Sequence, residues 1–141
     1  MPNNLVCLDA SFLVRLVTSY NDPRPRSLVE TWLNQGYRLV APTLLLYEIT
    51  NALYLYERVG QLDRTAVFKT LNVVMALPIQ LHGEPDLHRE ALILAFTHNL
   101  KATYDAHYLA LAQRLNADLW TADSRLVRAV QSAWPWIHLV E

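Results

Sequence analysis

The stretch "LWTADSRL" (119–126) decides how the rest of the chain is read. Leu119 and Trp120 are large and apolar, and they run straight into Thr121, Ala122 and the acid Asp123. A short apolar run closed by small polar residues reads as a buried strand, and the amphipathic segment from Ser124 reads as a helix. Just upstream, "TYDAHYLALAQRLN" (103–116) repeats apolar side chains at Tyr104, Tyr108, Leu111, Ala112 and Leu115, one face of a helix. Helix, strand and helix therefore follow in sequence, with a carboxylate where the strand stops.

The same alternation extends to both ends. "LVCL" (5–8), "YRLVA" (37–41), "PIQLH" (78–82), "DLWT" (118–121) and "WIHLV" (136–140) are the strand candidates. Helical spacing fills the intervals between them. Ser27 and Glu30 have capping-box spacing, and Gly36 suits the end of that helix. Thr43 and Gly60 bound the longest helical run, Asp63 caps the next, and Pro85 suits the start of a third. Strands alternating with helices imply an α/β fold with a mainly parallel central sheet covered on both faces.

Composition bounds the class. The chain has 141 residues, 52% hydrophobic and 18% charged, which argues for one folded domain over 1–141 and against disorder. No apolar run has the length of a membrane span, and "MPNNLVCLDA" lacks the basic and apolar regions of a signal peptide. The expectation is a cytoplasmic protein with no membrane partner. Cys7 is the single cysteine; it sits in an apolar run and reads as a core residue. The net charge of −1 offers no global basic field for nucleic acid, although setting several acids aside in one pocket leaves a modestly basic remainder.

Four acids stand out. Asp9 follows the first strand and Asp123 the fourth, so in a parallel sheet both reach the carboxyl edge, where such sheets bind ligands. Glu48 lies in the second turn of the helix that leaves the second strand, and Asp105 in the first turn of a later helix. Asp9 and Asp123 also suit helix caps, and Asp105 suits a helix N-terminus. Glu48 sits among apolar neighbours, where an ionised carboxylate without a partner costs several kcal/mol. Gathered together, four carboxylates repel one another unless a cation joins them, and an all-oxygen set suits Mg²⁺ or Mn²⁺. A cation held so polarises a phosphodiester and acidifies a water for attack on phosphorus.

These residues carry a resemblance. "CLDASFLVRLV" resembles the first acid motif of the PIN-domain ribonucleases, "YEITNAL" their helical glutamate motif, and "TYDAHYLALAQRLNADLWTADSRLVRA" their third and fourth acid motifs in tandem. The resemblance covers nearly the whole chain and is closest to the VapC-type toxins of toxin–antitoxin pairs. It implies a PIN-like three-layer α/β/α sandwich and a Mg²⁺- or Mn²⁺-dependent endoribonuclease. It also implies an RNA substrate, a cognate antitoxin and a homodimer. Carried over by position, the metal and catalytic acids are Asp9, Glu48, Asp105 and Asp123, with Ser11 and Thr121 as supporting hydroxyls.

Two other functions fit an α/β sheet with acids at its edge. A receiver or Asp-nucleophile phosphatase would need a second acid where Ser11 stands, or a lysine after a late strand; the only lysines are Lys69 and Lys101, and neither follows a strand. A catalytically inert RNA-binding module would have no use for four self-repelling acids. The histidines at 82, 88, 98, 107 and 138 show no zinc-like spacing and read as surface or structural residues, with His107 nearest the acids. Arg15, Arg125 and Arg128 follow Asp9 and Asp123 and are candidates for phosphate contact or for a solvated face. In "YLY" (54–56) at least one ring is expected outside the core, for a second copy or an antitoxin.

Overall fold

In the computed structural model, which describes residues 4–140, five strands form one all-parallel sheet in the order β3-β2-β1-β4-β5. The strands are β1 (Leu5–Leu8), β2 (Arg38–Pro42), β3 (Ile79–His82), β4 (Asp118–Thr121) and β5 (Ile137–Leu139). The helices are α1 (Ala10–Thr18), α2 (Arg24–Asn34), α3 (Leu44–Arg58), α4 (Arg64–Ala76), α5 (Asp86–His98), α6 (Tyr104–Leu115) and α7 (Ser124–Val130). Among the described residues no helix is long and apolar enough to cross a membrane.

The sheet is a partition between two cores. Successive side chains of a strand point to opposite faces. Leu5 and Cys7 therefore enter the larger core, with Leu45, Ile49, Leu109 and Leu119, while Val6 and Leu8 enter the smaller one, with Phe12, Val29 and Trp32. This is the three-layer α/β/α arrangement expected from the alternating pattern. Helix α6 is the most enclosed: Ala106 and every residue from Tyr108 to Ala112 are buried, and its alanines keep its surface thin. Tyr104, at the head of the expected apolar face, is instead 59% exposed because the first turn projects beyond the sheet edge. Asn116 ends α6 in the left-handed region at φ 54°, and the chain turns directly into β4.

Helix starts depart from the sequence reading in two places. Ser27 is not a cap: α2 begins at Arg24, because Pro23 and Pro25 suit a first helical turn, and the Ser27 amide already donates to the Pro23 carbonyl at 2.9 Å. The segment "NDPRP" is thus part turn and part helix. Thr43 stands at the start of α3 but makes no side-chain cap bond, since its own backbone is helical. Asp63 behaves as expected, accepting from the Ala66 amide at 2.8 Å. Gly36 and Gly60, at φ 81° and 79°, take the left-handed turns that follow α2 and α3.

The cap assignments make a direct prediction. Asp63→Ala should cost about 1 kcal/mol of folding stability, the usual loss for an N-cap. Ser27→Ala, inside a helix and exposed, should change stability by no more than about 0.5 kcal/mol. Urea denaturation of both variants checks this, and a larger loss at Ser27 would restore it as the cap.

Candidate active site

The site begins with strand register. Val6 pairs with Asp118, Cys7 with Leu119 and Leu8 with Trp120, so β1 and β4 end side by side. Asp9 and Thr121 are the next residues in each chain segment. The Asp9 amide donates to the Trp120 carbonyl at 3.2 Å, extending the pairing to the edge.

Asp9 is buried and fully engaged. One carboxylate oxygen, Oδ1, accepts from the Phe12 amide at 2.9 Å and from the Ser11 hydroxyl at 2.8 Å. The other, Oδ2, accepts a short bond from the Thr121 hydroxyl. Ser11 in turn accepts from the Ala122 amide, and Thr121 from the Asp123 amide, each at 2.9 Å. The two hydroxyls lie 3.1 Å apart. Ser11 and Thr121, read from the sequence as supporting hydroxyls, thus stitch the end of β1 to the end of β4. Asp9 caps α1 with the same carboxylate. Cap and site are compatible, because two oxygens offer about four acceptor positions.

The other acids arrive from three more elements. Glu48, on α3, accepts from the Tyr108 hydroxyl at 2.6 Å, a bond that reaches across from α6. Asp123 caps α7, accepting from the Arg125 amide at 2.9 Å. Asp105, in the first turn of α6, has no hydrogen-bond donor among the described residues. Burial, then the charges of Asp123 and Glu48, push its carboxyl above the ordinary range. Burial raises Asp9 to about 6, against the pull of its three donors, and the charge of Asp105 adds to the rise. Asp105 therefore feels, or is felt by, each of the other three acids. As placed, no three histidine, cysteine, aspartate or glutamate side chains among the described residues stand at ligating spacing. Asp105 and Asp123, like Glu48, are only partly buried.

Some residues differ from the sequence reading. Tyr108 appeared there only as part of an apolar stripe; its hydroxyl is what orients Glu48. A phenol three residues after an acid, on the buried face of a helix, was the available signal. Arg15 is committed to structure, since its guanidinium donates to the Val140 carbonyl at 3.0 Å, whereas Arg125 and Arg128 are exposed beside the site. In "YLY", Tyr54 is 55% exposed and Tyr56 packs against the core, as the spacing requires. Cys7 is fully buried, as expected, and burial holds its thiol far above the ordinary range.

With this geometry in view, the comparisons with known proteins are decisive on family. The PIN domain model matches residues 6–131. The chain belongs to the PIN-domain family. The ribonuclease VapC3 of Pyrobaculum aerophilum is 29% identical to this PIN domain over 122 residues, which cover 84% of this chain and 89% of that protein. A crystal structure from the same organism superposes with a TM-score of 0.66 at 28% identity, covering 88% of this chain and 83% of that one. VapBC2 of Rickettsia felis, bound to a DNA fragment from its promoter, matches with a TM-score of 0.69, covering 96% of this chain and 97% of that one; at 13% identity it speaks for the fold of the PIN domain alone.

The raised carboxyl of Asp9 sets a pH dependence. Its folded-state value of about 6 lies above the ordinary 3.8, so the folded chain holds this proton more tightly than the unfolded chain. That contribution is complete below about pH 4 and is lost as pH rises through about 6. Asn at this position does not titrate. In chelator, the stability of Asp9→Asn relative to wild type should therefore rise between pH 4.5 and pH 7.5 (roughly the span of that loss). Urea denaturation at the two pH values measures it, and a constant difference would rule out the buried charge.

Proposed function

We propose that this PIN domain is an endoribonuclease that hydrolyses RNA phosphodiester bonds using Mg²⁺ or Mn²⁺, and that it is the toxin of a toxin–antitoxin pair. The observation that carries the reading is the convergence of Asp9, Glu48, Asp105 and Asp123, from four separate elements, on one sheet edge, where burial and then the charges of Asp123 and Glu48 raise the carboxyl of Asp105. The name of its relative, a ribonuclease, supports the same reaction.

The donor set fits a hard cation: four carboxylates, no sulfur or nitrogen ligand among them, and a repulsion that an opposite charge relieves. The four acids would hold the ion. When bound, it supplies Lewis-acid polarisation of the phosphodiester and lowers the pKa of the attacking water. The chain's own part is orientation. Ser11, Thr121 and the Phe12 amide fix Asp9, and Tyr108 fixes Glu48, so two ligands are set before substrate arrives. Asp105 and Asp123 adjust. Arg125 and Arg128, exposed on α7, meet the RNA phosphates, for which guanidinium geometry is suited.

Features of the surface support the proposed partners. Between α1, α2 and α4 lies an open cleft of about 410 Å³, lined by Leu16, Val29, Leu33, Val73 and Leu77 with Arg26 and Lys69 at its rim. It offers an antitoxin segment an apolar seat, with Glu30 as well as the two basic residues in its lining. Tyr47 and Tyr54 on α3 and Phe96 on α5 expose large rings, at 75%, 55% and 79%, which suit a homodimer. A cytoplasmic location accords with an RNA substrate.

Cleavage of single-stranded RNA should require Mg²⁺ or Mn²⁺ and cease in EDTA; full activity in chelator would sink the mechanism. Two acids that flank β4 then test the site. Asp118, at the amino end, forms a surface pair with His138 at 3.3 Å. Asp118→Asn should leave the cleavage rate within about threefold of wild type, since surface substitutions cost little, within about 0.5 kcal/mol. Asp123→Asn should remove at least about 99% of the rate, because an amide is a poorer ligand for a hard cation. Mg²⁺ should also raise the melting temperature of Asp123→Asn less than that of wild type. Loss of activity in Asp118→Asn with a normal Asp123→Asn would place the site at the other edge.

A further inference from the structure

Beside the acids, but outside their set, is a group of imidazoles that the proposed reaction does not use. His88 on α5 and His107 on α6 bring ring nitrogens to 2.9 Å, Nδ1 of the first to Nε2 of the second. His107 Nδ1 lies 2.7 Å from the Thr103 carbonyl oxygen. A carbonyl only accepts, so Nδ1 of His107 carries the proton and donates. Its Nε2 is then the lone-pair nitrogen, aimed at His88. Across the same small cavity, of about 130 Å³, stand His82 and Glu84. His82 Nε2 is buried and has no hydrogen-bond partner among the described residues. Its other nitrogen lies 3.6 Å from Glu84 Oε1.

We propose that His88 and His107 form a second cation site, for a borderline transition metal such as Zn²⁺, with His82 and Glu84, which line the same cavity but do not stand at ligating spacing as placed, as the groups that would move in to complete it. The chemistry separates it from the carboxylate set. Imidazole nitrogen suits zinc, copper and nickel, whereas magnesium keeps to oxygen. Metal-ligating histidines commonly donate their second ring N–H to a backbone carbonyl, which fixes both tautomer and ring plane, and His107 already does so. Two nitrogens each about 2.0–2.1 Å from one tetrahedral zinc stand about 3.3 Å apart, so from the observed 2.9 Å the two rings would separate by a few tenths of an ångström and turn their lone pairs towards the ion. A metal replacing the proton between the rings would tie α5 to the first turn of α6, the turn that carries Asp105. His82 reaches the cavity from the end of β3, and a ring rotation there would give its buried nitrogen the partner it lacks.

The proposal does not depend on RNA cleavage, and its test reads metal directly. Calorimetric titration of the full chain with Zn²⁺, in excess Mg²⁺ to occupy the acids, should give one site per chain. His88→Ala and His107→Ala should each weaken it at least tenfold. His82→Ala should weaken it less, and Asp123→Asn should leave it within about twofold. His88 is exposed, so its replacement leaves the fold intact; circular dichroism of the variant checks this. Nitrogen NMR of the wild-type chain supplies a readout that needs no variant: zinc should shift Nδ1 of His88 and Nε2 of His107. Zinc uptake unchanged in His88→Ala and His107→Ala, uptake that disappears in Asp123→Asn, or ring nitrogens unmoved by zinc would each overturn the site.

Discussion

The parallel pairing of β1 with β4 sets the position of everything at the carboxyl edge. Leu8 opposite Trp120 makes Asp9 and Thr121 emerge together, and one hydroxyl then reaches the carboxylate of the neighbouring strand. A register slip by one residue would reverse every side chain of β4. Leu119 would leave the larger core and Thr121 would turn away from Asp9. The hydrophobic burial of Leu119, Cys7 and Leu8 thus fixes the polar geometry above them, and those apolar residues hold the site without touching it.

The edge keeps a charge arrangement that folding alone would not favour. Asp9 is buried with three donors, yet its carboxyl stays raised, because desolvation outweighs what the hydrogen bonds return. Asp105 has no donor among the described residues and feels the charges of Asp123 and Glu48. Such strain at a sheet edge marks a functional site more often than a structural one. Thr121 limits the cost at Asp9, the one buried acid of the four, and Tyr108 binds Glu48, which is partly buried like Asp105 and Asp123.

The strands and most helices were legible in the sequence, because apolar runs and helical spacing report burial directly. Asp9 and Asp123 could be placed at the carboxyl edge because each follows a strand, whereas Asp105 could not be placed so directly, since its helix follows another helix. Ser27 misled because Pro23 and Pro25 look like turn residues while also suiting a helix start. Arg15 misled because its partner, the Val140 carbonyl, is a backbone group from the far end of the chain. The bond from Tyr108 to Glu48 and the pairing of His88 with His107 arise from how α6 packs against α3 and α5. Local spacing can mark Tyr108 as a phenol on a buried face but does not say which partner it meets, so neither pair shows as a motif.

Helix α6 connects these observations. Its buried face supplies the Tyr108 hydroxyl, its first turn supplies Asp105, and the same turn holds His107 against the Thr103 carbonyl. The helix can serve three groups because it is almost wholly enclosed, with Ala106, Ala110 and Ala112 permitting close approach on several sides. A substitution that lifted α6 from the sheet would release Glu48 and displace Asp105 together. Enlarging Ala110, which has no exposure at all, is of that kind: overpacking a filled core costs about 1–3 kcal/mol and shifts the backbone. The acids of the site are thus coupled through a small-residue helix face, and the precision of the carboxyl edge rests on alanines buried well below it.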